Sequence, residues 1–109
     1  MNKFINDTGI YSINDLEKHY VKKTKGYWFT KSSMAFFNSK VNEKLFYKPE
    51  TKKILFISSE RFDSNTPRRY SIREYNTETG SIDTVGLGFQ GYKTLAAAIL
   101  AAGKLWMQL

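Results

Sequence analysis

Cysteine is absent from this 109-residue sequence, proline occurs only twice, and there is a single histidine. The lack of cysteine excludes disulfide bonds, thiolate chemistry and metal sites of the zinc-finger kind, and it fits a reducing cytoplasm. The longest stretch without a polar residue, Leu95–Gly103, has about half the length that a membrane span requires. Polar residues interrupt the first ten positions, so we expect no signal peptide. These absences predict a soluble cytoplasmic protein without a membrane segment.

The length of the chain allows one modest hydrophobic core and is too short for two. We therefore expect a single domain over residues 1–109. Aromatic residues make up 16% of the sequence, which is a high share, and large rings fill a small core efficiently. There is no repeat, no low-complexity tract and no linker. The composition is that of a globular protein.

Positive charge is concentrated in one part of the chain. Residues 18–53 hold ten lysines and two acidic residues, a net charge of +8, whereas the whole chain carries +7. Such an excess, with a sequence pI near 9.6, makes nucleic acid the first partner to consider. An acidic protein surface and a membrane surface are two other anionic partners. Net charge alone is also compatible with a small basic protein that has no nucleic-acid role.

Three segments have helical patterns. Ser12 can cap a helix over residues 13–23, with Asp15 completing a capping box. Thr30 can cap a second helix over residues 31–41, and an alanine-rich helix is expected over residues 93–106. The last helix has an apolar stripe on one face, which we expect to be buried and which consists of Leu95, Ala98, Ile99, Ala102 and Trp106.

Short apolar or alternating runs predict the strands. In residues 69–75, Tyr70 and Ile72 fall on one side of a strand, and Ser71, Arg73 and Tyr75 on the other. Turn residues separate the other strands and predict two hairpins. Besides the strand over residues 69–75, the predicted strands cover residues 27–29, 45–47, 54–58 and 81–85. The sum is an α+β fold, an antiparallel sheet of four to five strands with two to three helices packed on one face.

The sequence offers little support for catalysis. The only histidine, His19, lies on the predicted first helix among lysines, where we expect a surface side chain without a catalytic partner. The acidic residues lack the spacing of a metal site, and we expect no metal and no cofactor. Residues 86–91 have the spacing G-x-G-x-x-G, but a dinucleotide site also needs a parallel βαβ unit. We expect a flexible entry into the last helix there, where exposed helix amides could still hold a phosphate.

The basic segment is the best candidate for a binding site. Lysines that alternate with aromatic rings suit a nucleic-acid surface, because ammonium groups meet phosphates and rings stack on bases. A second basic pair follows Pro67, where it could instead protect a strand edge. The alternative is that the lysines form a solvated surface and that some of the rings belong to the core. The candidate partner-binding residues are Lys22, Lys23, Lys25, Tyr27, Trp28, Lys31, Arg68 and Arg69.

Two stretches of the chain, Tyr27–Val41 and Pro67–Val85 with its continuation to Tyr92, together resemble a group of small phage and mobile-element proteins of uncharacterised function. The resemblance covers roughly residues 26–103 and carries no catalytic residues with it. Small phage proteins of this size include anti-CRISPR proteins, and the chain looks like a candidate inhibitor of a Cas9 effector. A basic inhibitor would contact guide RNA or an acidic patch on the effector, since mimicry of DNA requires negative charge.

We therefore expect a non-enzymatic, phage-derived inhibitor that acts in the host bacterial cytoplasm. Its basic surface would bind a Cas9-like defence nuclease or the guide complex of that nuclease. The alternative is a small basic DNA- or RNA-binding accessory protein of a phage. The apolar end of the chain, from Leu105 onward, is either packed under the sheet or free to contact a partner, because exposed Trp and Met are enriched at interfaces.

Overall fold

The structure is a computed structural model, and it describes residues 10, 12–24, 40–42, 44–48, 50–61 and 65–108. Two helices and five strands lie within these residues. The helices are α1 (Ile13–Lys23) and α2 (Leu95–Gln108). The strands are β1 (Lys40–Val41), β2 (Phe46–Lys48), β3 (Lys53–Glu60), β4 (Arg69–Asn76) and β5 (Ile82–Val85). Neither helix is long and apolar enough to cross a membrane.

The five strands form one antiparallel sheet with β3 near its centre. One side of β3 pairs with β4, and β5 follows β4. The other side pairs with both short strands: β1 lies against Ser58 and Ser59, and β2 against Lys53–Leu55. The β2–β3 turn places Lys52 at a positive φ of 61°. The predicted α+β fold with four to five antiparallel strands is confirmed.

The prediction that the helices pack on one face is wrong, because α1 and α2 lie on opposite faces of the sheet. Residues alternate between the two faces along β3, so Ile54 and Phe56 pack under α1, and Leu55 and Ile57 pack under α2. An apolar strand of this kind has two faces to bury, and one helix layer covers only one of them. The α1-side core is Ile10, Leu16, Tyr20, Ile54, Phe56 and Tyr75. The α2-side core is Leu55, Ile57, Ile72, Tyr92, Ala98 and Ala102.

Helix α1 begins and ends where the sequence predicts. The Asp15 backbone N–H donates to Ser12 Oγ at 3.2 Å, which satisfies a free amide of the first turn. At the other end, the Thr24 hydroxyl donates to Tyr20 O at 2.8 Å. Thr24 and Lys23 then pack against Gly80 in the β4–β5 turn, where an added Cβ would lie 2.9 Å from Thr24 Cγ2. This close approach and a φ of +78° both require glycine at position 80.

Helix α2 begins two residues later than predicted, because Thr94 is its N-cap. The Ala97 backbone N–H donates to Thr94 Oγ1 at 3.1 Å. The predicted stripe is confirmed: Ala98 and Ala102 are fully buried, and the larger stripe residues are half-buried against the same core. Small side chains at these two positions let the helix approach the sheet closely.

The predicted second helix falls mostly outside the described residues, as does the predicted strand over residues 27–29. The last two residues of that helix prediction, Lys40 and Val41, are described, and the prediction is wrong there because they form β1. Val41 belongs to β1 and pairs with Ser58. Pairing with a distant strand overrides the local helical pattern at this position.

Candidate functional site

Three exposed lysines on α1 form a cationic surface. Lys18, Lys22 and Lys23, here called the α1 lysine cluster, lie on the solvent side of the helix. The ion pairs in the described part of the chain join other residues, Lys53 with Glu74 and Arg73 with Glu60. Within the described residues, the charge of the cluster therefore faces solvent and is not neutralised by an acidic side chain.

The orientation of this cluster is determined by the opposite side of the same helix. Leu16 and Tyr20 are buried against the sheet, and the two helix caps hold both ends. Residues three and four apart on a helix share a face, so Lys18 and Lys22 project in the same direction, about 6 Å apart along the axis. The sequence identified Lys22 and Lys23 as candidates, and the structure adds Lys18.

His19 does not have the surface position that the sequence suggests. Its ring is half-buried, and Nδ1 shares a hydrogen bond of 2.6 Å with the hydroxyl of the fully buried Tyr75. Burial lowers the pKa of His19 below 6.5, and the charges of Lys23 and Lys22 lower it further. Burial also raises the pKa of Tyr75 to about 12. The neutral form of His19 therefore predominates at pH 7, and this pair anchors α1 while adding little to the charge of the cluster.

Arg68 and Arg69 lie at the opposite end of the sheet from the α1 lysine cluster. The cluster packs near the β4–β5 turn, whereas Arg69 begins β4, and a strand of eight residues separates these ends by about 23 Å. Both arginines bind backbone carbonyls. Arg68 Nη1 donates to Ser59 O at 3.1 Å, and Arg69 Nε donates to Gln90 O at 3.1 Å. The structure does not bring this pair together with Lys22 and Lys23.

Four of the predicted site residues, Lys25, Tyr27, Trp28 and Lys31, lie outside the described residues. Their role as partner-binding residues stays a prediction.

Arg68 also lines a small cavity of about 280 Å³ between β1, the ends of β3 and β4, and α2. Lys40 and the side chains of Ser59 and Tyr70 contribute to the same lining, which contains no acidic side chain among the described residues. Arg68 Nη2 is buried there without a hydrogen-bond partner in the described part of the protein. Local patterns do not indicate this cavity, because β1 reaches it only through pairing with β3.

A buried ion pair between β3 and β4 is a second feature that the sequence does not indicate. Arg73 Nη2 lies 3.4 Å from Glu60 Oε2, and Ser71 Oγ donates to Glu60 Oε1 at 3.0 Å. Arg73 also donates to Ser58 Oγ at 2.9 Å and to Thr84 Oγ1. These bonds tie three strands together, and the Gln90 side chain adds the following loop by donating to Glu60 O at 3.2 Å. The Glu60 carboxylate is buried and both of its oxygens are bound by Arg73 and Ser71, so a ligand cannot reach it. The network therefore has a structural role.

The other candidate sites also have structural explanations. Glu74 pairs with Lys53 at 3.2 Å, and the described residues contain no group of three side chains suited to a metal ion. The glycines of residues 86–91 precede α2, but the strand before them is antiparallel to its neighbour, as the sequence analysis expects. The Thr94 hydroxyl already occupies one of the first amides of α2, so part of the predicted phosphate site is satisfied by the cap.

Comparison with known proteins identifies a family but no function. Residues 12–103 match the sequence model of a family of unknown function, DUF7447, and the chain belongs to this family. No curated protein matches the chain, and no solved structure does.

Proposed function

We propose that this member of the DUF7447 family is a non-enzymatic, phage-derived inhibitor of a bacterial defence nuclease. It acts in the bacterial cytoplasm and binds the nuclease together with its guide RNA, with the α1 lysine cluster against an anionic part of that complex. The observation that carries the proposal is the exposed cluster of Lys18, Lys22 and Lys23, which forms no ion pair within the described residues. The phage origin rests on the resemblance of residues 26–103, and the choice of a nuclease as the partner rests on that origin and on the small size of the chain, without a motif.

Lysines suit a phosphate backbone, because each ammonium group is a compact charge on a flexible stem that needs no bidentate geometry. A guide complex displays such a backbone along its RNA. The α1 helix is held by its caps and by Tyr75, so the backbone that carries the cluster is pre-organised and only the lysine side chains lose freedom on binding. A positive surface of this kind also speeds association with an anionic partner.

The second candidate is a DNA- or RNA-binding accessory protein of a phage, and the same cluster favours it. The two candidates differ in what the protein binds alone. An accessory protein binds free nucleic acid, and the affinity falls steeply with salt because each phosphate contact releases counterions. An inhibitor binds the assembled complex more tightly than any free strand.

A charge-reversal experiment tests the proposal. The variant Lys18→Glu/Lys22→Glu leaves Lys23 in place, because the stem of Lys23 packs against Gly80. The matched control, Lys40→Glu/Lys93→Glu, makes the same change in net charge at two other exposed lysines. We expect the wild type and the control to block target cleavage by a Cas9–guide complex, and the α1 variant to lose inhibition. For RNA binding, the slope of log K against log salt should fall by about 2 in the α1 variant.

Undiminished cleavage at saturating wild-type protein contradicts the inhibitor proposal. In that case, salt-dependent binding of duplex DNA, single strands or structured RNA supports the accessory protein instead. Equal loss in both variants shows that net charge, and not the α1 surface, is responsible.

A further inference from the structure

An apolar groove of about 570 Å³ lies between β2 and the outer side of α2, on the face of the sheet opposite α1. We call it the α2 groove and define it by six lining residues, which are Phe46, Tyr47, Ile99, Leu100, Trp106 and Met107. Leu100 is 65% exposed and Met107 is 70% exposed, although both are large apolar side chains. Apolar surface that collects in one concave place is typical of an interaction site.

The groove has a firm wall. Trp106 Nε1 donates to Tyr47 O at 2.8 Å, which fixes the indole ring against β2. Lys48 Nζ lies 4.7 Å from the centre of that ring and donates to Trp106 O at 3.3 Å. These contacts join the last turn of α2 to β2, so the groove is preformed. A preformed groove spares an incoming segment the cost of ordering the site.

The rim of the groove is positively charged. Lys104 lines it, Lys48 covers the Trp106 ring, and Lys44 Nζ lies 5.5 Å from the centre of the Phe46 ring. Neither α2 nor β2 contains an acidic residue. An apolar floor with a rim of one sign of charge selects a partner that is apolar on one side and of the opposite charge around it.

We propose that the α2 groove binds an acidic amphipathic helix of a partner protein. The apolar side of that helix would lie on Leu100, Trp106 and Met107, in the helix-in-groove mode of recognition. Its carboxylates would meet Lys44, Lys48 and Lys104. A second copy of this chain is a poor occupant, because the same lysine rim would face itself and the whole chain carries +7. The inference is independent of the proposed function, since it uses the face opposite the α1 lysine cluster.

A pair of labelled synthetic peptides tests this inference by fluorescence anisotropy. Both peptides carry leucines at helical positions i, i+3, i+4 and i+7, and the remaining positions are rich in glutamate in one peptide and in lysine in the other. We expect the glutamate peptide to bind at least ~10-fold more tightly than the lysine peptide, because only its charges complement the rim. The variant Leu100→Gln should weaken that binding by a similar factor.

The matched control is Leu87→Gln, since Leu87 is 72% exposed but lies outside the groove. The control and the variant Lys18→Glu/Lys22→Glu should bind the glutamate peptide like the wild type. Equal affinity for both peptides, or no binding of either, overturns the inference. Sedimentation that shows a dimer of the wild type and a monomer of Leu100→Gln also overturns it, because a second copy then occupies the groove.

Discussion

The two helices cover opposite faces of one sheet, and they do so with opposite chemistry. Helix α1 buries large side chains, Leu16 and Tyr20, and turns lysines toward solvent. Helix α2 buries the small side chains of Ala98 and Ala102 and leaves Leu100 and Met107 largely exposed. In α1 the large apolar residues face the sheet and lysines face solvent. In α2 apolar residues face both the sheet and the solvent. The same sheet therefore supports a cationic surface on one face and an apolar groove on the other.

The sheet itself differs between these two faces. On the α1 side, the apolar core gives way along β3 and β4 to the polar network of Glu60 and Arg73. On the α2 side, Leu55, Ile57 and Ile72 continue the apolar surface beneath the helix. The stability of the α1 face therefore depends on hydrogen bonds and an ion pair between buried polar groups as well as on packing. The stability of the α2 face depends mainly on close packing.

The largest effect is expected from breaking the polar network of the α1 face. Arg73→Met leaves the Glu60 carboxylate, which is 1% exposed, without its cation. We expect the free energy of unfolding to fall by about 3–5 kcal/mol, as for other buried pairs that lose one partner. Urea denaturation of the wild type and the variant measures this difference in the free energy of unfolding. The double variant Glu60→Gln/Arg73→Met should recover part of the loss, because no buried charge then remains unpaired. A loss below about 1 kcal/mol in the single variant would contradict this role.

A smaller effect is expected from enlarging a side chain under α2. Ala102→Leu inserts three carbon atoms into the fully buried contact between the helix and the sheet, and we expect a cost of about 1–3 kcal/mol. The matched control is Ala97→Leu, since Ala97 is exposed on the same helix and leucine is nearly as good a helix former. Thermal and urea unfolding of the two variants isolate the packing contribution. Equal stabilities would show that close approach of α2 does not matter.

The smallest effect is a pH dependence that belongs to the α1 face alone. The pKa of His19 is lower in the folded protein than its ordinary value of 6.5, so the unfolded chain takes up a proton first as the pH falls. The contribution of His19 to the free energy of unfolding is therefore fully present above pH 6.5. It decreases as the pH falls from 6.5 to the pKa of His19 in the folded protein. Unfolding measured between pH 7.5 and 5.5 should show this decline in the wild type and a flatter profile in His19→Gln. A steeper profile in the variant would contradict the assignment.

Much of the fold can be predicted from the sequence, because the relevant signals are local. Ser12 with Asp15 predicts the start of α1, and the alternation of residues 69–75 assigns the two sides of β4 correctly. The glycine at position 80 predicts a turn between β4 and β5, and in the structure Gly80 has the positive φ that this turn requires. The predicted arrangement of the helices fails, although the run Ile54–Ile57 contains the missing signal. A strand that is apolar at every position has two faces to cover.

The candidate sites are less predictable, because their residues meet only through long-range pairing. Glu60 lies outside the strand that the sequence predicts over residues 54–58, but it ends β3 and lies beside Arg73. His19 appears as a surface residue, but Tyr75 lies 56 positions away in the sequence. Trp106 and Tyr47, which form the wall of the α2 groove, are 59 positions apart. Patterns that extend over a few residues do not reveal contacts between residues this far apart in the sequence.

Most of the elements, the turns and the total charge follow from the sequence alone, because periodicity, capping residues and composition act within a few positions of the chain. Long-range packing establishes which face each helix covers, where the exposed lysines project and that Arg68 and Arg69 lie far from Lys22 and Lys23. Sheet pairing brings distant residues together and separates near ones, and the burial of both faces of β3 sets the two helices apart. For this reason one basic sequence yields two surfaces of different chemistry.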